Sequence, residues 1–239
     1  VIEDQIPYAE PLTHNELLIL REASGELLPM VEPELDFLGE MFQGTDSVVL
    51  LANPNGMILD TRGTGSFLDK AGQVALKSGV VWSESERGTN AIGTAIAEGA
   101  MVEVWGNEHF HRQHAALCCT AAPILDHQGR IAGVIDISGD ARLPRGYAQG
   151  ALGRAIREVE HRWLMQSPGQ LNRLRFHEKS NHLGSFREGI LLLDGEIIVG
   201  ANREAVRWLG TTWSLIGERW SHIFSTPLLK ACSDETLIM

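Results

Sequence analysis

Side chains that commonly bind metals are concentrated in one short segment, which carries His109, His111, His114, Cys118 and Cys119. Imidazole and thiolate groups are the usual ligands of zinc and iron. The spacing is unfavourable for a metal, because the segment has no C-x-x-C pair and adjacent cysteines in a strand point to opposite faces. We therefore predict no metal site, and we interpret the two cysteines as small buried hydrophobic residues.

A glycine-containing stretch, ERGTNAIGTA at 86–95, is superficially similar to a phosphate-binding loop. The lysine that would reach a phosphate is missing. An anion can bind at a helix N-terminus, but close packing of small residues between a helix and a sheet explains the same composition. The chain also lacks the G-x-S-x-G and H-E-x-x-H motifs. We therefore predict no catalytic residues and no cofactor.

Asp136 stands in the middle of an apolar stretch, IAGVIDIS at 131–138. Strand alternation places it on the same face as Val134 and Ser138, opposite Ile135 and Ile137. A buried carboxylate is costly unless it is hydrogen-bonded. Two interpretations are open: the side chain faces solvent, or it is a polar group at a pocket.

The elements around these residues alternate between helical and strand periodicity. Thr13 and Glu16 form the pattern of a capping box, while Thr89 and Gly99 are the expected start and end of the small-residue helix. The pattern predicts further helices at 15–21, 34–43, 66–77, 151–164 and 201–210, and strands at 47–53, 57–61, 101–105, 118–126, 130–138, 189–193 and 196–200. Because consecutive strands are joined by short turns, we predict antiparallel sheets and an α+β fold.

Composition narrows the classes of function. The 239 residues are enough for one large or two medium domains, and the formal net charge of −11 opposes binding to nucleic acids and anionic membranes. No apolar run approaches the roughly 20 residues of a membrane span. Three cysteines, two of them adjacent, argue against a disulfide framework and favour a reducing cytoplasm.

The central segment resembles a known family, the GAF sensor domain of sigma-54-dependent transcriptional activators. The similarity is strongest to the acetoin-catabolism type, whose relatives include the activator of the dihydroxyacetone kinase operon, and it covers roughly residues 10–165. The residues that carry it are Trp82, Glu84, Gly88-Thr89-Asn90-Ala91-Ile92-Gly93-Thr94, Glu98, Val104, Gly106, Glu108-His109-Phe110, Leu117, Cys119, Ala121-Ala122-Pro123-Ile124, Gly133-Val134, Asp136 and Ser138-Gly139.

The resemblance also implies a division into domains. The later stretch EGILLLDGEIIVGANREAVRWLG is similar to the start of a PAS domain. We expect an N-terminal helical extension at 1–30, a GAF domain with its linker helix at 31–166 and a partial PAS-like module at 179–239. Family members continue into an AAA+ ATPase and a helix-turn-helix. Because neither is present and the chain begins at Val1, we expect a piece of a longer protein.

A ligand site follows from the resemblance. GAF sensors of this type are expected to hold a small hydroxyketone, ketone, aldehyde or alcohol between the sheet and the covering helices and loops. In this sequence the implied ligand-binding residues are three apolar walls and four polar side chains: Trp82, Trp105 and Phe110, then His109, Cys119, Thr120 and Asp136.

The resemblance also implies the partners. We expect a cytoplasmic homodimer that pairs through the helix at 151–164, with sigma-54 RNA polymerase and DNA contacted only through absent regions, and no membrane contact. The alternative is a protein-interaction module without a small ligand, controlled by a partner protein. Some GAF domains instead reduce methionine sulfoxide with cysteines or carry a bilin, and the cysteine arrangement here gives little support to the first of these.

Overall fold

The computed structural model describes residues 11–63, 71, 74–166 and 171–225. Contacts divide the chain into two compact units, one of residues 1–124 and 131–156, the other of residues 125–130 and 157–239. No helix in the described ranges has the length and apolar character needed to cross a membrane. The helix expected at 66–77 lies mainly outside the described residues.

The first unit begins with helix α1 (His14–Ala23), and the predicted capping box is present. The Thr13 backbone N–H donates to the Glu16 carboxylate at 2.8 Å, and the Glu16 N–H donates to the Thr13 hydroxyl at 3.4 Å. These reciprocal bonds satisfy two backbone donors that the first turn of a helix leaves free.

Helix α2 (Leu27–Met41) starts earlier than predicted and contains Pro33. The prediction of a helix at 34–43 was wrong at this end because it treated the prolines as breaks. Proline inside a helix costs about 3 kcal/mol. A buried stripe offsets that cost through its spacing of three and four residues, and its members are Leu27, Val31, Leu35 and Leu38.

The core of the first unit is a five-stranded sheet in the order β2-β1-β5-β4-β3. Its strands are β1 (Ser47–Ala52), β2 (Ile58–Gly63), β3 (Val102–Trp105), β4 (Leu117–Leu125) and β5 (Ile131–Asp140). The register of β1 with β2 and β5, and of β3 with β4, is antiparallel as predicted. Every residue of β1 and β4 is buried, so both faces of the sheet are covered.

Helix α4 (Ala91–Glu98) packs on the sheet against β3 and β5, and the single turn of α3 (Glu84–Arg87) packs against α4. The predicted cap Thr89 was wrong by one residue. Asn90 has the extended backbone of an N-cap, and its side-chain oxygen accepts from the Gly93 N–H at 2.9 Å.

Helix α5 (Gln149–Gln166) contains the predicted helix at 151–164. Its apolar stripe was expected to pair with a second subunit. The stripe is instead buried within the chain, at Leu152, Ala155, Ile156 and Val159. A dimer through α5 would therefore have to use the remaining faces of the helix.

The second unit is a smaller α+β module. Its sheet has the order β6-β7-β8, with β6 (Asn172–Phe176), β7 (Gly189–Asp194) and β8 (Ile197–Ala201), all antiparallel. Helices α6 (Arg203–Trp208) and α7 (Trp220–Ile223) follow. The predicted fold class is thus confirmed: α+β, with a GAF-like antiparallel sheet flanked by helices and a smaller α+β module after it. Strand β6 was not predicted.

Candidate functional site

The two faces of the first sheet separate the predicted ligand-binding residues. Cross-strand register pairs Cys119 with Val104 and Asp136 with Leu50, which places them on the face covered by α4. Thr120 pairs with Glu103 instead, on the opposite face. Strand alternation therefore prevents Cys119 and Thr120 from contacting the same ligand.

Trp105 also lies on the opposite face, where it pairs with Cys118. It is half-buried, and the Arg145 guanidinium lies 5.2 Å from its ring centroid. Phe110 is 53% exposed, so it is not an inward-facing wall. The structure therefore contradicts the expectation that Trp105, Phe110 and Thr120 line one cavity with the other candidates.

Asp136 is fully buried at 1% exposure, which excludes the solvent-facing interpretation. Ser138 donates its hydroxyl to Asp136 Oδ2 at 2.5 Å, and the same hydroxyl lies 3.0 Å from Cys119 Sγ. Asp136 Oδ1 has no hydrogen-bond partner. Burial raises the pKa of Asp136 to about 7, and the hydrogen bond from Ser138 opposes that shift.

A second set of buried polar side chains, which we call the Arg–His cluster, consists of Arg87, His109, His111 and His114. Two of its members, Arg87 and His114, contact Trp82, a buried residue of the same apolar cluster as Cys119 and Leu50. The ring of His114 stacks on Trp82 at 4.8 Å between centroids, and the Arg87 guanidinium lies 5.7 Å from the Trp82 ring centroid.

The loop after β3 positions the histidines. Gly106 has a φ of +52°, and its carbonyl accepts from both the backbone N–H of His109 (3.2 Å) and the imidazole Nδ1 (2.9 Å). The His109–His114 and His111–His114 ring centroids are 5.9 and 5.7 Å apart. The three rings thus form one compact group.

A second contact ties this loop to the start of α4. The Phe110 N–H donates to the Thr89 carbonyl at 3.0 Å. The Phe110 ring lies against Gly88, where a Cβ atom would be 2.4 Å from the ring and the φ is +60°. Only glycine accommodates both the positive φ and the close approach of the Phe110 ring. Glycine at position 88 therefore allows the histidine loop to pack against the start of α4.

Most nitrogens of the Arg–His cluster have no hydrogen-bond partner. The unpaired atoms are Arg87 Nη1 and Nη2, His109 Nε2, His111 Nδ1, and His114 Nδ1 and Nε2. More than about 90% of buried polar groups in proteins are hydrogen-bonded. Such a concentration of exceptions is typical of a functional site.

Burial disfavours the protonated forms of His109 and His114. It lowers the pKa of His114 to about 3, and the nearby positive charges of Arg87 and the other two histidines act in the same direction. Burial also lowers the pKa of His109, against the opposing effect of its bond to Gly106. A neutral His109 that donates from Nδ1 to a carbonyl has an acceptor at Nε2. The cluster therefore offers donors from Arg87 and an acceptor from His109.

The described residues contain no group of three or more His, Cys, Asp and Glu side chains arranged to hold a metal ion. Burial raises the pKa of Cys118 to about 11 and that of Cys119 well above its usual value. Protonated thiols are poor nucleophiles and poor metal ligands.

A separate open cleft of about 420 Å³ lies on the surface beside α4. It is lined by Pro54, Asn55, Ser83, Glu84, Ser85, Gly93, Ile96 and Ala97. None of the predicted ligand-binding residues is in this lining.

Arg87, Ser138, His111 and His114 were not among the ligand-binding residues predicted from the sequence. For Ser138, strand alternation with Asp136 was a usable signal. Arg87 ends a helix of only four residues. So short an element has no periodicity from which its burial could be read.

Comparison with known proteins identifies the family. The model of the MimR N-terminal domain matches residues 16–148. The chain belongs to the MimR N-terminal domain family. Both the five-stranded sheet and the Arg–His cluster fall within this MimR N-terminal region, and the predicted resemblance to regulators of the acetoin-catabolism type is confirmed.

Several relatives of this MimR-family chain are transcriptional regulators by name. It is 36% identical over 116 residues to the acetoin catabolism regulatory protein of Cupriavidus necator, covering 48% of this chain and 17% of that protein. It is 35% identical over 111 residues to the acetoin dehydrogenase operon transcriptional activator AcoR of Bacillus subtilis, covering 46% and 18%. With the propane 2-monooxygenase operon transcriptional activator MimR of Mycolicibacterium smegmatis the identity is 30% over 118 residues, covering 48% and 20%.

These alignments cover at most 24% of the length of the matched regulators, so this chain corresponds to a minor part of each. Among solved structures, the Escherichia coli DhaR(N)–DhaL complex contains a chain with the same fold, at a TM-score of 0.64 and 14% identity. The match covers 96% of this chain and 79% of that one. At this identity the likeness concerns the fold alone.

Proposed function

We propose that this chain is the signal-sensing regulatory region of a transcriptional activator, and that it binds a small oxygen-bearing metabolite at the Arg–His cluster. The observation that carries the proposal is the set of unpaired buried nitrogens of Arg87 and the three histidines, beside the ring of Trp82. Buried donors and acceptors beside an aromatic wall are the usual composition of a small-molecule site.

The names of the relatives support the same reading, because acetoin and propane metabolism involve small oxygenated compounds. Hydroxyketones, ketones, aldehydes and alcohols, the classes implied by the resemblance, are therefore the first to test. A hydroxyketone suits the donor and acceptor pattern: its carbonyl oxygen accepts from Arg87, and its hydroxyl donates to His109 Nε2.

The output belongs to regions outside this chain. We propose that ligand binding favours one of two states of the sensing region, because a ligand acts only through different affinities for two states. That change would control an AAA+ ATPase acting on sigma-54 RNA polymerase and a DNA-binding region. The chain itself is proposed to be non-catalytic, since its described cysteines are buried with raised pKa values.

The proposal is tested by calorimetric titration of the chain with acetoin, dihydroxyacetone and propan-2-ol. We expect saturable binding of at least one compound, weakened roughly fivefold by His109→Gln, which takes the hydrogen-bond acceptor out of the imidazole Nε2 position. His222→Gln is the matched control, because His222 is an exposed histidine of the second unit. Absence of binding by all three at millimolar concentration would reject this function and leave control by a partner protein as the explanation for the fold.

A further inference from the structure

Arg87 differs from the other described arginines of the first unit in being fully buried, at 2% exposure, without a carboxylate partner. In the described part of the chain the carboxylate whose charge acts on it is Glu86, the exposed neighbouring residue. Its remaining protein contacts are a long bond of 3.4 Å from Nε to the Val81 carbonyl and the face of Trp82. Burying an ion without a partner costs several kcal/mol, so this placement needs an explanation.

The orientation of the Arg87 guanidinium explains why it is buried without a carboxylate partner. Nε is directed at the Val81 carbonyl, and both terminal nitrogens, Nη1 and Nη2, are left without partners. Two neighbouring N–H groups in one plane match the two oxygens of a carboxylate, which binds arginine in this fork geometry. A ketone or alcohol oxygen can accept one of these bonds, but it leaves the charge uncompensated.

The surroundings of Arg87 are compatible with an incoming negative charge. His114 is near enough for the charge of Arg87 to act on it, and burial holds the pKa of His109 and His114 below the usual value. His109 Nε2 is left as an acceptor for a hydroxyl group.

We propose that Arg87 binds the carboxylate of the effector, so that the site selects a small 2-hydroxy or 2-oxo acid over the neutral compound of the same shape. This inference rests on the proposed function, the sensing of a small oxygenated metabolite at the Arg–His cluster, and adds the charge of that metabolite. Arg87 is then the specificity-determining residue, and His109 contacts the hydroxyl group.

Lactate and acetoin make a matched pair of probes, because they share the CH₃–CHOH–C=O skeleton and differ by an oxygen anion in place of a methyl group. We expect lactate to bind the wild-type chain about tenfold more tightly than acetoin, the difference typical of a hydrogen bond to a charged group. Arg87→Gln should reduce lactate affinity by about tenfold or more, because the charge is lost. It should change acetoin affinity by less than about threefold, because the glutamine amide can still donate a bond to the carbonyl oxygen. Arg142→Gln, which alters an arginine 78% exposed at its side chain, is the control that should change neither.

The outcomes separate the two proposals. Equal or tighter binding of acetoin than lactate, or lactate binding that survives Arg87→Gln, would overturn the carboxylate assignment and leave the sensing function standing. If neither probe nor any related neutral compound binds, the sensing function itself is rejected.

Folding of the variant is checked by its melting temperature without ligand. Because Arg87→Gln removes an unpaired buried charge, we expect no loss of thermal stability. A drop of many degrees would show that Arg87 is structural and would contradict the assignment. The comparison of lactate with acetoin on the wild-type chain is independent of the variant.

Discussion

The buried Glu188 of the second unit differs in its hydrogen bonding from the buried Arg87 and Asp136 of the first unit. In the second unit, the fully buried Glu188 accepts from Arg175 Nε at 3.0 Å, from the Gly184 N–H at 2.6 Å and from His161 Nε2 at 2.8 Å. In the first unit, Arg87 and Asp136 are as deeply buried and keep unpaired polar atoms. Paired buried charges are explained by the fold alone, whereas unpaired ones indicate a site.

A second buried carboxylate follows the same rule. Glu160 accepts from the Leu125 N–H at 3.0 Å and from the Arg203 guanidinium at 2.8 Å, all within the second unit. Glu188 and Glu160 thus each have several donors. The contrast teaches where to look for function: the unit with the less complete pairing carries the candidate site.

The largest expected effect concerns Asp136 and His114. Folding raises the pKa of Asp136 and lowers that of His114, so the two groups change the pH dependence of stability in opposite directions. The raised pKa of Asp136, about 7, contributes stability below pH 4 that is lost as the pH rises to 7. The lowered pKa of His114, about 3, contributes stability above pH 6.5 that is lost as the pH falls to 3. Each shift corresponds to a change of the order of 4 kcal/mol, and the two cancel in part between pH 4 and 6.5.

Two variants separate these contributions. Relative to wild type, Asp136→Asn should make the free energy of unfolding rise with pH between 4 and 7. His114→Gln should make it fall over the same range. Urea denaturation at several pH values measures both slopes. Parallel pH profiles for both variants and wild type would show that these groups do not titrate as their burial requires, and would remove the contrast with the second unit.

The next largest effect tests the paired side of the comparison. Removing one partner of a buried ion pair is strongly destabilising, so Glu188→Gln should cost about 3 kcal/mol. Burial acts to raise the pKa of Glu188, but its bonds to His161, Arg175 and Gly184 outweigh burial and lower it. This contribution is therefore present above about pH 4.3, the usual value for glutamate, and is lost as the pH falls further.

The measurement is urea denaturation combined with hydrogen exchange in β6 and β7, which Glu188 joins. Glu178→Gln, a change at an exposed glutamate in the same unit, is the control and should have little effect. Ligand affinity should be unchanged in both variants. If Glu188→Gln leaves the free energy of unfolding unchanged, the buried pairing of Glu188 does not stabilise the second unit, and the contrast between the units fails.

Turn residues and strand alternation in the sequence predicted the hairpins well, but they predicted the burial of charged side chains poorly. The turn at Asn53–Gly56 separates two segments whose apolar and β-branched residues predict strands, and the structure has β1 and β2 at these positions. Alternation along β4 excludes Thr120 from the face of Cys119. The face of Trp105 depends on the register of β3 with β4, which pairs it with Cys118. Asp136 was different. Alternation gives its face, but the partners that cover that face come from distant parts of the chain.

Short elements limited the prediction in the same physical way. Strand β6 alternates Arg173 and Arg175 with Leu174, and such charged positions do not predict a strand in a sheet. The single turn of α3 that ends at Arg87 is too short for helical periodicity. Both elements are stabilised by tertiary contacts, which a local pattern does not contain.

The smallest expected effect compares two asparagine caps. Asn90 accepts from the Gly93 N–H and donates to the Gly88 carbonyl at 2.8 Å, at the edge of the Arg–His cluster. Asn202 accepts from two backbone N–H groups, of Ile190 and Ala205, and donates to the Glu188 carbonyl. Because loss of a cap costs about 1 kcal/mol, Asn90→Ala should destabilise α4 by about that amount. Asn202→Ala should cost about 2 kcal/mol, since it leaves more buried groups unpaired.

Hydrogen exchange in α4 and α6 measures the loss of local stability in each variant. Ligand titration then shows whether the loss of the cap also changes ligand affinity. Asn90 holds Gly88, and Gly88 holds the loop that carries His109. Asn90→Ala should therefore weaken ligand binding by more than its cost in stability would suggest, while Asn202→Ala leaves binding unchanged despite its larger cost. The reverse order of effects on binding would place the ligand site in the second unit and reverse the comparison.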